Sequence, residues 1–146
     1  MMIIKIVQKD DEYYKIADLV DSLKSSKKID ESGAIFTFEG IVRGKEKGLT
    51  VDKLILTTED KKKTEKELKL IAKSVKSKFN VFEVAIVHFI GEFYTGDTLF
   101  LVAVLGPHRN QTLQALKEII ERTKFDLDFQ KEELSNTGRK IIMSGG

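Results

Sequence analysis

The chain has 146 residues, 41% of them hydrophobic and 33% charged, with a formal net charge of +2. This is the make-up of a globular chain long enough for its own core, and the charge is too small for a global nucleic-acid signature. There is no cysteine, which excludes disulfides, Cys-based zinc sites, a cysteine nucleophile and any persulfide carried on this chain. No apolar run approaches the roughly 20 residues that span a bilayer. The opening Met1-Met2-Ile3-Ile4-Lys5 meets charge too soon for a signal peptide, so a cytoplasmic chain without membrane partners is expected.

Residues 2–7 are expected to form a short strand. Asp10 and Asp11 then precede a helical pattern in which Ile16, Leu19, Val20 and Leu23 share one face. Residues 25–30 read as a polar connection. Residues 33–43 (GAIFTFEGIVR) are rich in aromatic and β-branched side chains and predict a strand. Arg43 stands at its end, where a guanidinium can hold a phosphate in a bidentate fork, or simply be a surface arginine. Residues 44–48 have the composition of a mobile loop, and 51–58 predict a second strand.

Residues 60–79 give the clearest helix, with Leu68, Ile71, Ala72, Val75 and Phe79 as its apolar stripe and a lysine-rich solvated face. Residues 81–90 and 98–106 read as nearly continuous apolar strands joined by a turn-rich link, 91–97. His88 lies inside the first of these as a structural histidine. The third helix runs from Asn110 to about Phe125, with Leu113, Leu116 and Ile120 expected on its buried side. Residues 129–134 and 139–143 flank Ser135-Asn136-Thr137-Gly138, a hairpin signal. The order of elements predicts one α+β domain spanning residues 1–146.

Pro107-His108-Arg109 is the most informative segment. The only proline of the chain sits between a buried strand and a helix start, where its missing N–H costs nothing. A helix N-terminus offers free N–H groups and partial positive charge, so His108 and Arg109 there make an anion site. The plainer alternative is a capping histidine and a paired surface arginine. Lys124, in the last turn of the helix, and Lys131, in the following strand, flank the helix end. An amine crowded by cations in a partly buried cleft can act as acid, base or nucleophile, but with 21 lysines in the chain, position alone does not single these out. Two histidines and no cysteine make no metal-ligand cluster, and no P-loop, dinucleotide or serine-elbow motif is present.

Taken together, GAIFTFEGIVRG (33–44), TEKEL (64–68), VAIVHFIGEFYTGDTLFLVAVLGPHR (84–109) and ERTKFDLDFQKEE (121–133) resemble the molybdopterin synthase catalytic subunit, the MoaE family. The resemblance covers most of residues 33–133, and the run IVHFIGEFYTGD followed by PHR is its specific part. It implies an α/β-hammerhead fold with an antiparallel sheet, three main helices and a small β subdomain. It also implies a homodimer at the centre of a heterotetramer, with a small ubiquitin-like sulfur-carrier subunit inserting a C-terminal Gly-Gly thiocarboxylate. The substrate implied is cyclic pyranopterin monophosphate, converted to molybdopterin by two sulfur transfers without a further cofactor. Carried over by position, Arg43, His108 and Arg109 are substrate-pocket residues. Lys124 is the catalytic lysine, and Lys131 the second, with Glu132 and Glu133 beside it. Three other readings compete: a non-catalytic carrier-binding protein of the same fold, a general phosphate-ligand domain, and a carrier in its own right, since the sequence ends in Gly145-Gly146.

Overall fold

The computed structural model describes residues 2–142, with side chains as far as residue 138. Gly145-Gly146 therefore lies outside the described residues. The chain runs β1 (Ile4–Gln8), α1 (Ile16–Lys24), a 3-10 turn (Ile29–Glu31), β2 (Ala34–Ile41), β3 (Lys45–Glu46), β4 (Leu49–Thr57) and α2 (Lys61–Phe79). It continues with β5 (Glu83–Phe93), β6 (Thr98–Gly106), α3 (Arg109–Asp126), β7 (Gln130–Ser135) and β8 (Gly138–Ile142). The strands join in the order β2-β6-β5-β4-β7-β8, with β1 added to β5 and β3 to β4. The α+β expectation and the three helices stand. The sheet is antiparallel except for β1, which pairs parallel with β5.

The central strands are apolar on both faces because both faces are covered. By register, Gly106 and Phe89 point to opposite sides of the sheet. Gly106 lies against Thr112 of α3, and Phe89 lines a groove with Ile16 of α1. Thus α2 and α3 cover one face and α1 the other. Val84 to Val87 and Leu101 to Leu105 are all nearly inaccessible, and each buried Val, Ile or Leu side chain among them stabilises the fold by about 2 kcal/mol. Strand β2 packs under α3 and pairs on one side with β6, leaving its other side as a sheet edge.

Helix α2 starts where its sequence says it should. The Asp60 carboxylate accepts from the Lys63 amide at 3.1 Å, and Asn80 ends the helix in the left-handed conformation (φ 53°). Helix α1 begins at Ile16, the first residue of the apolar face read from the sequence; Asp10 and Asp11 form a turn after β1, and Asp18 reaches back to the Lys15 amide at 2.8 Å. Three other expectations are corrected. The 44–48 segment is not an open loop: Lys47 (φ 50°) and Gly48 (φ 79°) form a tight two-residue turn between β3 and β4. Strand β5 runs on through Gly91 to Phe93, where it pairs with β4, so the expected link begins later. Leu113 is 51% exposed, and the buried face of α3 is Thr112, Ala115, Leu116, Ile119 and Thr123. Two threonines on that face explain why an apolar periodicity search misplaces it.

Candidate active site

The opening of α3 is clamped from behind. The His108 carbonyl accepts from both the backbone amide and the hydroxyl of Thr112, at 3.2 and 2.6 Å. Gly106 must be glycine because a Cβ there would run into the Thr112 hydroxyl, and Gly33 faces the Pro107 carbonyl in the same way. The Gly33 amide donates to the Gly106 carbonyl at 3.0 Å, tying this corner to the start of β2. His108 has extended backbone (φ −135°, ψ 146°) and its ring caps no amide. His108, Arg109 and Asn110 are exposed, and no acidic residue lies in the first turn. The result is an uncapped helix N-terminus dressed with an imidazole and a guanidinium, which suits an anion.

Arg43 is held by its neighbours rather than by its own side chain. The Val42 amide donates to the Asp97 carbonyl at 2.9 Å, and the Gly96 amide donates to the Val42 carbonyl at 2.8 Å. Val42 is buried, so Arg43 projects from a fixed strand end, 75% exposed, with Glu46 3.8 Å away. Surface pairs of this kind contribute little stability and leave the guanidinium available.

Lys124 is exposed in the last turn of α3 and makes no ion pair among the described residues. Leu127 and Phe129 are then buried, and β7 follows. Lys131 is opposite Leu56 of β4, half-buried, with Glu133 on the same face 3.8 Å from its amine. Glu132 faces the other side of the strand by alternation. Among the described residues a carboxylate therefore stands beside the Lys131 amine.

Helix α3 runs alongside β2, from the Gly106 corner towards Ile41. Arg109 opens it and Lys124 lies in its last turn, roughly 22 Å further along the axis. Lys131 is level with Leu56 and Gly91, past His88, which is level with Phe100 and Gly40 near the end of β2. Arg43, Lys124 and Lys131 thus lie towards one end of the sheet, and His108 and Arg109 at the other. Arg43, His108, Arg109, Lys124 and Lys131 therefore do not meet in one site within one chain.

A separate groove of about 540 Å³ opens on the α1 face, lined by Lys9, Tyr13, Ile16, Glu39, Phe89 and Thr98 among others. None of the predicted site residues lines it. Its Lys9 is paired with Asp97, and the hydrogen bond from Lys9 holds the Asp97 carboxyl below the ordinary carboxylate range. An internally neutralised cation does not make an anion pocket. Among the described residues no group of three or more His, Asp or Glu side chains could hold a metal ion, and no helix is long and apolar enough to cross a membrane.

His88, expected to be structural, is buried, with Nδ1 2.9 Å from the Phe89 carbonyl. It is sandwiched between Phe100 and Phe129, with ring centroids 4.8 and 4.4 Å away. Burial pushes its pKa down to about 4, against a smaller opposing effect of the bond to Phe89, so the ring is neutral. Sequence patterning finds the histidine in its apolar strand but not Phe129, 41 positions further on, as its stacking partner.

A family model described as MoaE protein matches residues 10–126. The molybdopterin synthase catalytic subunit of Yersinia pestis is 31% identical over 115 residues, covering 79% of this chain and 76% of its own length. The crystal structure of molybdopterin synthase from Staphylococcus aureus matches with a TM-score of 0.83 at 27% identity, covering 97% of this chain and 98% of that one. The α/β-hammerhead expectation stands on that match. A Helicobacter pylori complex of subunits 1 and 2 of molybdopterin-converting factor shares the fold, with a TM-score of 0.69 at 22% identity over 94% of this chain and 88% of its own.

Proposed function

The chain belongs to the MoaE family of molybdopterin synthase catalytic subunits, and from that premise we propose that it converts cyclic pyranopterin monophosphate to molybdopterin in the cytoplasm, as one domain. The sulfur comes from the C-terminal thiocarboxylate of a small ubiquitin-like carrier subunit. The absence of cysteine supports delivery by a partner, because this chain has no thiol to hold sulfur itself. The small-subunit partner is in keeping with the two-subunit Helicobacter pylori complex of the same fold.

The observation that carries the reading is the uncapped α3 N-terminus bearing exposed His108 and Arg109, matched to an exposed Arg43 and Lys124 at the far end of the same helix and strand. Two half-sites of one sign, more than 20 Å apart on one helix, call for a second copy to bring them together. The free edge of β2 supplies a means. Two copies of β2 paired antiparallel about a twofold axis would set the Gly106 corner of one beside the Ile41 end of the other. His108 and Arg109 of one protomer then face Arg43 and Lys124 of its partner. The homodimer is thereby part of the site, with a carrier subunit serving each half to make a heterotetramer.

Within such a site Arg43, His108 and Arg109 hold the cyclic phosphate and the charge released as its ring opens. Lys124 moves protons, or attacks the incoming acyl group. Lys131 stabilises the thiocarboxylate and the anions that develop from it, with Glu132 and Glu133 flanking it on β7. The test is dithiolene formation from the pterin precursor and thiocarboxylated carrier. K124A should abolish it while far-UV circular dichroism stays unchanged, and normal turnover of K124A would remove Lys124 from the mechanism.

A further inference from the structure

We propose that His88 is a positioning residue for Lys131, acting through the Phe129 ring. The inference rests on the reading of Lys131 given above. An imidazole is a costly choice in the middle of an apolar strand, where phenylalanine or leucine would bury without penalty. Here the Nδ1–H group donates to the Phe89 carbonyl at 2.9 Å. What the nitrogen adds over a phenyl ring is orientation: the Nδ1–H bond fixes the ring about its own axis. Both flat faces are then used, Phe100 lying at 32° and Phe129 at 25° to the imidazole.

Phe129 is the point that this stack controls. The chain leaves α3 after Asp126 and enters β7 at Gln130, so Leu127 and Phe129 are the buried anchors between the two lysines. The Phe129 amide closes a short turn onto the Leu127 carbonyl at 3.1 Å. Phe129 stands just before β7, two residues ahead of Lys131. Pairing with β4 sets Lys131 opposite Leu56 and Glu132 opposite Ile55. A slip of one residue would turn Lys131 to the far face and put Glu132 in its place. That exchange reverses the charge offered to an anionic substrate and thiocarboxylate. Docking Phe129 on an oriented His88 ring pins the strand at the one place where a slip would start.

The experiment is a double-mutant cycle under steady-state conditions, with thiocarboxylated carrier in excess and varied pterin precursor. H88F keeps an aromatic face but loses the orienting N–H. It is expected to lower kcat at least tenfold with KM for the pterin within twofold, because Arg43, His108 and Arg109 are untouched. In a K131A background the same change should have no further effect on kcat, while its effect on thermal stability stays as large as in the wild type. F129L tests the stack from the other side and should show the same non-additivity, which decides the matter should H88F fail to fold. Wild-type kcat in both H88F and F129L, with K131A impaired, overturns the inference and leaves the role of Lys131 intact. An equal loss from H88F with and without Lys131 also overturns it, as a general structural effect. Wild-type turnover of K131A itself would instead remove the reading on which the inference rests.

Discussion

Arg109 and Lys124 occupy opposite ends of one helix, in its first and last turns, and neither can reach the other within the chain. Helix length is a rigid ruler at 1.5 Å per residue, so no side-chain rotation closes a gap of about 22 Å. A site that needs both must take one from a second molecule.

Mixing two inactive variants reads this directly. In a heterodimer of R109A with K124A, one site receives the intact Lys124 of the first chain and the intact Arg109 of the second, while the other site loses both. Random reassembly makes half the dimers mixed with one good site each, so about a quarter of wild-type activity should return on mixing. If each site were built within one chain, mixing would restore nothing.

The edge of β2 carries the second prediction. Thr37 is exposed near the middle of the strand, so an antiparallel β2–β2 pairing brings its two copies close to the twofold axis. T37K puts two like charges there, and lysine is a natural block to edge pairing. The dimer dissociation constant should rise tenfold or more in analytical ultracentrifugation, with activity falling in step and the monomer fold retained. A T37K protein that dimerises and turns over normally would show that β2 is not the interface.

The sequence was most legible where a side chain and its partner lie close along the chain. The Asp60 cap, the apolar stripe of α2 and the bounds of β6 follow from local pattern. Pro107-His108-Arg109 declared itself as a helix start because proline, free amides and a guanidinium coincide there. Periodicity failed where residues far apart meet. The extension of β5 to Phe93 depends on pairing with β4, and the exposure of Leu113 depends on which face of α3 meets the sheet. The separation of Arg109 from Lys124 follows from helix length alone, yet only the packing of α3 along β2 shows which other residues stand at each end.

The corner behind His108 predicts a defect from the smallest possible change. At Gly106 a methyl group meets the Thr112 hydroxyl, which is itself bonded to the His108 carbonyl at 2.6 Å. G106A must push the first turn of α3 outward or break that bond, at about 1–3 kcal/mol for overpacking a tight site. Activity should drop further than stability accounts for, because the displaced turn carries Arg109. T112A in the same chain makes room for the methyl group and should recover part of both. A G106A protein with unchanged melting temperature and rate would show that the turn is not tightly set.

His88 gives the fold a pH dependence whose sign and window are set by burial. Its folded pKa is lowered from 6.5 to about 4, chiefly because the charged ring cannot be solvated there. Above pH 6.5 the ring is neutral in both states and contributes no pH dependence. Between 6.5 and 4 the unfolded chain takes up a proton that the folded chain refuses, so stability is lost as pH falls, by about 3 kcal/mol across the window. Below 4 both states carry the proton and the loss from this group stops. Asp97 and Glu12 act in a different range: their folded pKa values are lowered by hydrogen bonds from Lys9 and Tyr14, so their contributions disappear only on acidification through the carboxylate range. Urea unfolding at pH 7, 5.5 and 4.5 separates the two effects. The wild type should lose stability across all three values, whereas H88F should hold level between pH 7 and 5.5. Equal slopes for the two proteins in that interval would mean that the imidazole is not kept neutral by the fold.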